Sequence, residues 1–138
     1  MTAEEIMTVN PVTVSEKASL AEALEILSEM EIRHLPVVRK GQVVGMLSDR
    51  DIRALGLSTT TDVAQMDAIR SSLTAGVTTL MTGDVMTVDR DTGLGEIVDL
   101  MITEKIGAIP VVEPDSETLV GIISYIDVLK AVRDLIDQ

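Results

Sequence analysis

Arg33-His34-Leu35-Pro36-Val37-Val38 is followed, after a short gap, by Gly45-Met46-Leu47-Ser48-Asp49-Arg50-Asp51. Later in the chain, Gly107-Ala108-Ile109-Pro110-Val111-Val112 is followed by Gly121-Ile122-Ile123-Ser124-Tyr125-Ile126-Asp127. These passages belong to a longer internal duplication. Residues 6–38 align with residues 80–112 at a constant offset of 74 and share 10 identical positions, among them Met7/Met81, Thr8/Thr82, Val14/Val88, Ile32/Ile106 and Pro36/Pro110. Two residues are inserted in the second copy before Gly-x-x-Ser-x-x-Asp resumes. Repeats of about 50–60 residues are small for independent cores, so the two copies are read as half-units that need each other. Paired half-units make paired clefts, and function is expected between them.

Each copy reads as an opening strand, a helix, two strands and a helix. In the first, Val12-Thr13-Val14 is β-prone, and Ser19 with Glu22 forms a capping box. Leu20, Ala23, Leu24, Leu27 and Met30 follow at helical spacing. Leu35–Val38 and Val43–Leu47 read as strands joined by a tight turn at Lys40-Gly41, and a helix runs from near Ser48 to about Leu57. In the second, Leu94, Ile97, Val98 and Met101 form the helical stripe. Ile109–Val112 and Leu119–Ile123 are the strands, and Tyr125–Ile136 is the last helix. The chain is therefore divided into a first repeat (1–57), a connector with a short helix over 63–73 (58–79) and a second repeat (80–138). The alternation gives an α/β (α+β) fold, tandem β-α-β-β-α units with helices on one face of each small sheet. The sheets are expected to pack face to face about a pseudo-twofold axis.

Composition narrows the function. Of 138 residues 46% are apolar, yet there is no Trp, no Phe and a single Tyr, with eight Met available as adaptable filler. A planar ligand must lie between aliphatic side chains. The net charge of −12, from 11 basic and 23 acidic residues, argues against nucleic acid and against an anionic membrane surface. The absence of cysteine fits the cytoplasm and excludes thiolate chemistry. No apolar run is long enough to span a bilayer, and the acidic start, Met1-Thr2-Ala3-Glu4-Glu5, lacks the features of a secretory signal.

Gly-x-x-Ser-x-x-Asp spans the end of a strand and the first turn of a helix. Taken alone, Ser48 and Asp51 are a variant capping box, and an acid in the first turn suits the helix dipole. The same geometry serves a ligand. Free N–H groups and a serine hydroxyl accommodate phosphate, and an ionised aspartate accepts two hydrogen bonds from a vicinal diol. With an aliphatic slot for a base, the group describes a nucleoside-phosphate site. Its recurrence at Ser124 and Asp127, again after a Pro-Val-Val strand, favours the functional reading. His34, the only histidine, lacks the companions of a metal site. Asp49 and Asp51 are read as a charged first helical turn, with Mg²⁺ entering only if a nucleotide carries it.

The quoted passages, with Ile6-Met7-Thr8 and Leu80-Met81-Thr82, resemble cystathionine-β-synthase (CBS) domains over nearly the whole chain. The resemblance implies a CBS pair, or Bateman module, which often dimerises and binds AMP, ADP, ATP or, in some members, NAD or S-adenosylmethionine. Carried over by position, one cleft takes Ser48, Asp51, Arg33 and Arg50 with Met86, Ile106 and Gly107. The other takes Ser124 and Asp127 with Val12, Ile32 and Arg33. The resemblance implies a non-enzymatic sensor acting on a downstream protein, with no obligatory cofactor. A second reading is a dimerisation or interaction module with vestigial clefts. An enzyme such as a phosphohydrolase ranks below both, because no His–carboxylate constellation or Gly-rich phosphate loop is present.

Overall fold

A computed structural model describes residues 1–53 and 74–138. The connector helix expected over 63–73, and the end of the helix expected to run to Leu57, lie outside the described residues. The described elements are α1 (Ala3–Ile6), β1 (Thr8–Val9), β2 (Val14–Ser15), α2 (Leu20–Glu29), β3 (His34–Arg39), β4 (Gln42–Ser48) and α3 (Asp49–Arg53). After a 3₁₀ turn at Val77–Thr79 come α4 (Leu94–Glu104), β5 (Ala108–Val112), β6 (Leu119–Ser124) and α5 (Tyr125–Ile136). The expected order of helices and hairpin strands is present among the described residues, with the opening strand of the first repeat shifted to Val14–Ser15 and that of the second reduced to an isolated bridge at Val88.

The described residues fall into two compact units that do not coincide with the sequence repeats. One comprises residues 1–11, 41–43 and 85–138; the other comprises 12–40 together with the described parts of 44–84. In the first unit the sheet order is β1-β6-β5, and both pairings are antiparallel. Val88 adds a parallel bridge to Val111 at the β5 edge. In the second unit the order is β2-β3-β4, with Val14 parallel to Val37. Thr82 adds an antiparallel bridge to Met46 on β4, closed by two backbone bonds of 3.0 and 2.9 Å. Each hairpin is thus flanked by its own opening segment on one side. On the other side lies the Met-Thr segment that heads the opposite repeat.

Two glycines explain why the Met-Thr segments recur. The sulfur of Met7 lies against Gly121 on β6, and that of Met81 against Gly45 on β4. A Cβ at either glycine would meet the methionine Cγ at 2.9 Å, closer than real carbons approach. Glycine therefore leaves the slot into which the methionine packs. At Gly121 the Thr8 carbonyl oxygen would also be 3.1 Å from an added Cβ, so the backbone of β1 is involved as well.

Packing follows the apolar stripes. Leu24, Leu27, Leu35, Val37, Leu47, Ile52 and Val77 form one core, and Ala3, Ile97, Ile109, Val111 and Ile123 form the heart of the other. The capping box expected at α2 is present, with Ser19 and Glu22 exchanging two 3.1 Å bonds. The Lys40-Gly41 turn has φ of 50° and 82°, the positive pair that a tight hairpin needs. The methionines differ from core filler in part: Met46 is buried, whereas Met30 is 54% exposed and Met86 39%. Met30 caps the end of α2, where the stripe has already left the core.

Overpacking at Gly121 should be felt through Met7. Gly121→Ala is expected to lower unfolding free energy by about 1–3 kcal/mol, and Met7→Ala to lower the further penalty of Gly121→Ala when combined with it. Urea unfolding of the four-member cycle reads the coupling; strict additivity would contradict the packing described.

Candidate functional site

Both Gly-x-x-Ser-x-x-Asp segments fold identically at their helix starts. The Ser48 N–H and hydroxyl donate to Asp51 Oδ2 at 2.9 and 3.0 Å, while the Asp51 N–H donates to Ser48 Oγ at 3.2 Å. In the second copy the Ser124 N–H and hydroxyl donate to Asp127 Oδ2 at 2.9 and 3.2 Å, and the Asp127 N–H donates to Ser124 Oγ at 3.3 Å. The aspartates are half-buried. Each commits Oδ2 to the cap, and among the described residues Oδ1 has no partner. A carboxylate oxygen retains two lone pairs, so each motif presents an acceptor held in place by its own helix start.

The helix starts offer fewer donors than the sequence suggests. The Asp49 N–H donates to the Arg33 carbonyl and the Tyr125 N–H to the Gly107 carbonyl, each at 2.9 Å. With the Asp51 and Asp127 N–H groups held by serine, one first-turn amide remains in each motif among the described residues, that of Arg50 or Ile126. The serine protons face carboxylates. A phosphate at either motif therefore depends on neighbouring side chains more than on helix ends. The strands supply those neighbours: the Arg33 and Gly107 bonds tie the residue before β3 or β5 to the first turn of α3 or α5.

Here the copies diverge. The first motif has Arg33, His34, Asp49 and Arg50 where the second has Gly107, Ala108, Tyr125 and Ile126. Arg33 and Arg50 are exposed, and neither guanidinium makes a hydrogen bond or ion pair among the described residues. Asp49 pairs with Arg53 at 3.6 Å. Burial pushes the His34 imidazole below its ordinary value; Asp49 and Asp51 pull it back up, and Arg33 and Arg50 push it further down. All four charges therefore act at one point on β3.

Of the residues expected to bind, Ser48, Asp51, Arg33, Arg50, Val12 and Ile32 lie in one compact unit. Ser124, Asp127, Met86, Ile106 and Gly107 lie in the other. The sequence reading set His34 aside as a metal ligand and gave it no other role, whereas its half-burial on β3 places it within the charge cluster. The repeat alignment could have marked this difference, since the second copy has Ala108 where the first has His34. Among the described residues no three His, Asp or Glu side chains gather as a metal-binding set, and no helix is long and apolar enough to cross a membrane.

The model of the CBS domain family matches residues 3–58 and 77–134, and the chain belongs to that family as a tandem pair. CBSX2, solved in complex with AMP, is similar over 97% of both chains, with a TM-score of 0.80 at 29% identity. The CBS domain pair of protein MJ0100, solved with 5′-methylthioadenosine and S-adenosyl-L-methionine, has a TM-score of 0.76 at 25% identity, covering 96% of this chain and 99% of that one. Among curated relatives, homoserine O-acetyltransferase of Methanocorpusculum labreanum is 34% identical over 125 residues. The match covers 90% of this chain but only 23% of that enzyme. Whole-enzyme names among the relatives thus describe proteins of which this module is one part.

The His34 environment has a measurable consequence. Because the folded imidazole titrates below 6.5, the unfolded chain binds the proton first as pH falls. Its neutral form costs nothing above 6.5, and stability is lost as pH drops from there toward the folded value. Urea unfolding should show wild type losing stability relative to His34→Gln over that window; parallel pH profiles would contradict the burial of a neutral imidazole.

Proposed function

We propose that this chain is a non-enzymatic regulatory module that binds adenosine-containing nucleotides of the AMP, ADP or ATP class at its two Ser-x-x-Asp motifs. NAD and S-adenosylmethionine are the alternative ligands. The observation that carries the reading is the duplicated carboxylate: among the described residues, Asp51 and Asp127 each keep one oxygen unpartnered at a helix start. An anionic acceptor in that position suits the 2′- and 3′-hydroxyls of a ribose. The AMP held by CBSX2 and the S-adenosyl-L-methionine held by the MJ0100 pair support the ligand class. Flanking roles follow the family resemblance, with Arg33, Arg50, Met86, Ile106 and Gly107 assigned to the first motif and Val12, Ile32 and again Arg33 to the second. Mg²⁺ would arrive only with a polyphosphate.

The regulatory reading is supported by the share of relatives that the chain spans, a quarter or less in the acetyltransferase. A ligand regulates only to the extent that it binds one conformation better than another. The proposal includes a cytoplasmic location, an unidentified downstream protein and self-association. Support for self-association comes from α5, where Tyr125, Leu129, Val132 and Ile136 form an exposed apolar stripe, Leu129 being 58% and Ile136 73% exposed. Light scattering at the mass of one chain would remove that part. If the clefts were vestigial, the same stripe would be the working surface.

Thermal unfolding with AMP, ADP, ATP, NAD and S-adenosylmethionine tests the binding reading. A ligand at about 100 times its dissociation constant should add roughly 2.7 kcal/mol, a shift of several degrees for a chain of this size. No shift with any adenosine compound would favour the interaction-module reading instead.

A further inference from the structure

Two thioethers occupy corresponding places in the two units. Met7 and Gly121 belong to one unit, Met81 and Gly45 to the other. Each glycine opens a Gly-x-x-Ser-x-x-Asp motif, three residues before its serine. In both pairs the sulfur would collide with a Cβ added to the glycine, and the methionine Cγ is 2.9 Å from that point. Met7 also packs against the core that holds Ile109, Val111 and Ile123, and Met81 against the core that holds Leu35, Val37 and Leu47. Each side chain therefore lies between an apolar core and the backbone of a motif-bearing strand.

The chain has no cysteine, so its thioethers are the groups that a peroxide oxidises most readily. Met7 and Met81 are half-buried, and solvent reaches part of each. A sulfoxide oxygen taken out of water needs a hydrogen-bond donor. The backbone beside each slot is already paired. Gly121 lies in the central strand of its sheet, opposite Val9 on one side and Val111 on the other. Met46, next to Gly45, exchanges backbone bonds of 3.0 and 2.9 Å with Thr82, next to Met81. A thioether fits such a slot and a sulfoxide does not.

We propose that Met7 and Met81 are sites of reversible oxidation by a peroxide, and that their sulfoxides release the Met-Thr segments from β6 and β4. The sulfur lone pair attacks one peroxide oxygen, the O–O bond breaks, and hydrogen peroxide leaves as water. Sulfur is oxidised and the peroxide reduced, with no other bond changed. The polar product forces the methionine off its glycine, and the Thr8 and Thr82 pairings go with it. Because each glycine opens a motif, the disturbance reaches the serine and aspartate three and six residues on. That last consequence, for ligand, rests on the binding function proposed above; the release of the segments does not.

Graded hydrogen peroxide treatment of the full chain, followed by peptide mass mapping and thermal unfolding, tests the switch. Met30 and Met86, 54% and 39% exposed, should oxidise first and leave the midpoint within about 1 °C. Oxidation of Met7 and Met81 should then lower it by about 5 °C or more, and methionine sulfoxide reductases should restore it. Met30→Leu/Met86→Leu should respond as wild type does, whereas folded Met7→Leu/Met81→Leu should keep its own midpoint through the treatment. Met7 and Met81 staying reduced after the exposed methionines are fully oxidised would overturn the proposal, as would their oxidation without a change in midpoint. AMP affinity, read by calorimetry on the same samples, should fall by about tenfold as the two sulfoxides form. Unchanged affinity beside a lowered midpoint would remove the link to the motifs. Wild type that binds no AMP before treatment would overturn the binding function and leave the switch to the unfolding curves.

Discussion

A serine and an aspartate three residues apart, each bonded to the other's backbone N–H, hold the start of α3 and of α5. The rest of the candidate site depends on this exchange. It satisfies two orphan amides of the first turn and fixes the carboxylate, so that one oxygen serves the helix and the other is left outward. The cap and the ligand reading are therefore not rivals. Local helix chemistry orients the aspartate, at a contribution of about 0.5–2 kcal/mol to stability, and the oriented aspartate is what a ribose would meet. The same arrangement limits the motif, because the serine proton and most first-turn amides are already engaged. A phosphate arriving there would meet side chains rather than amides, and in those side chains the copies part.

The second constraint is the exchange of opening segments. Met7 packs on Gly121 and Met81 on Gly45, so each hairpin is completed by residues that head the other repeat. A repeat cut at its sequence boundary would lose a sheet edge and expose the glycine slot. The N-terminal helix is held in the same unit by Ala3, fully buried, and by backbone bonds from Ala3 and Glu4 to the carbonyls of Thr92 and Arg90. Arg90 also reaches Glu113 and Glu4 with its side chain. These exposed ion pairs add little by themselves, but they show the duplication at work. Glu16–Arg39 in the first copy and Arg90–Glu113 in the second are one pair with its charges reversed.

Much of this was legible in the sequence. The helical stripes, the Ser19–Glu22 box, the Pro-Val-Val strands and the full extent of Tyr125–Ile136 follow from periodicity and capping chemistry, which are local. The family followed from the order and spacing of the duplicated motifs. What could not be read was non-local. Identity at Met7/Met81 announced a repeat, but no local rule says that a segment will pair with the other copy's sheet. The reversed ion pair was invisible to a search for identical residues. The bonds from Asp49 to Arg33 and from Tyr125 to Gly107 close over many residues, so the scarcity of free helix amides appeared only in three dimensions. The apolar face of α5 was legible as a pattern, yet only half of it is buried, by Val128 and Ala131.

The account's central claim is that one aspartate oxygen builds the helix start while the other holds a ribose. Replacing both aspartates by asparagine separates the two roles, since asparagine keeps a carbonyl for the cap but turns the outward acceptor into a donor. Calorimetry of Asp51→Asn/Asp127→Asn with AMP is the direct measurement, made alongside its unfolding curve. The account predicts a folded chain of near wild-type stability whose AMP affinity has fallen by about tenfold or more. A double variant that binds AMP as tightly as wild type would contradict it.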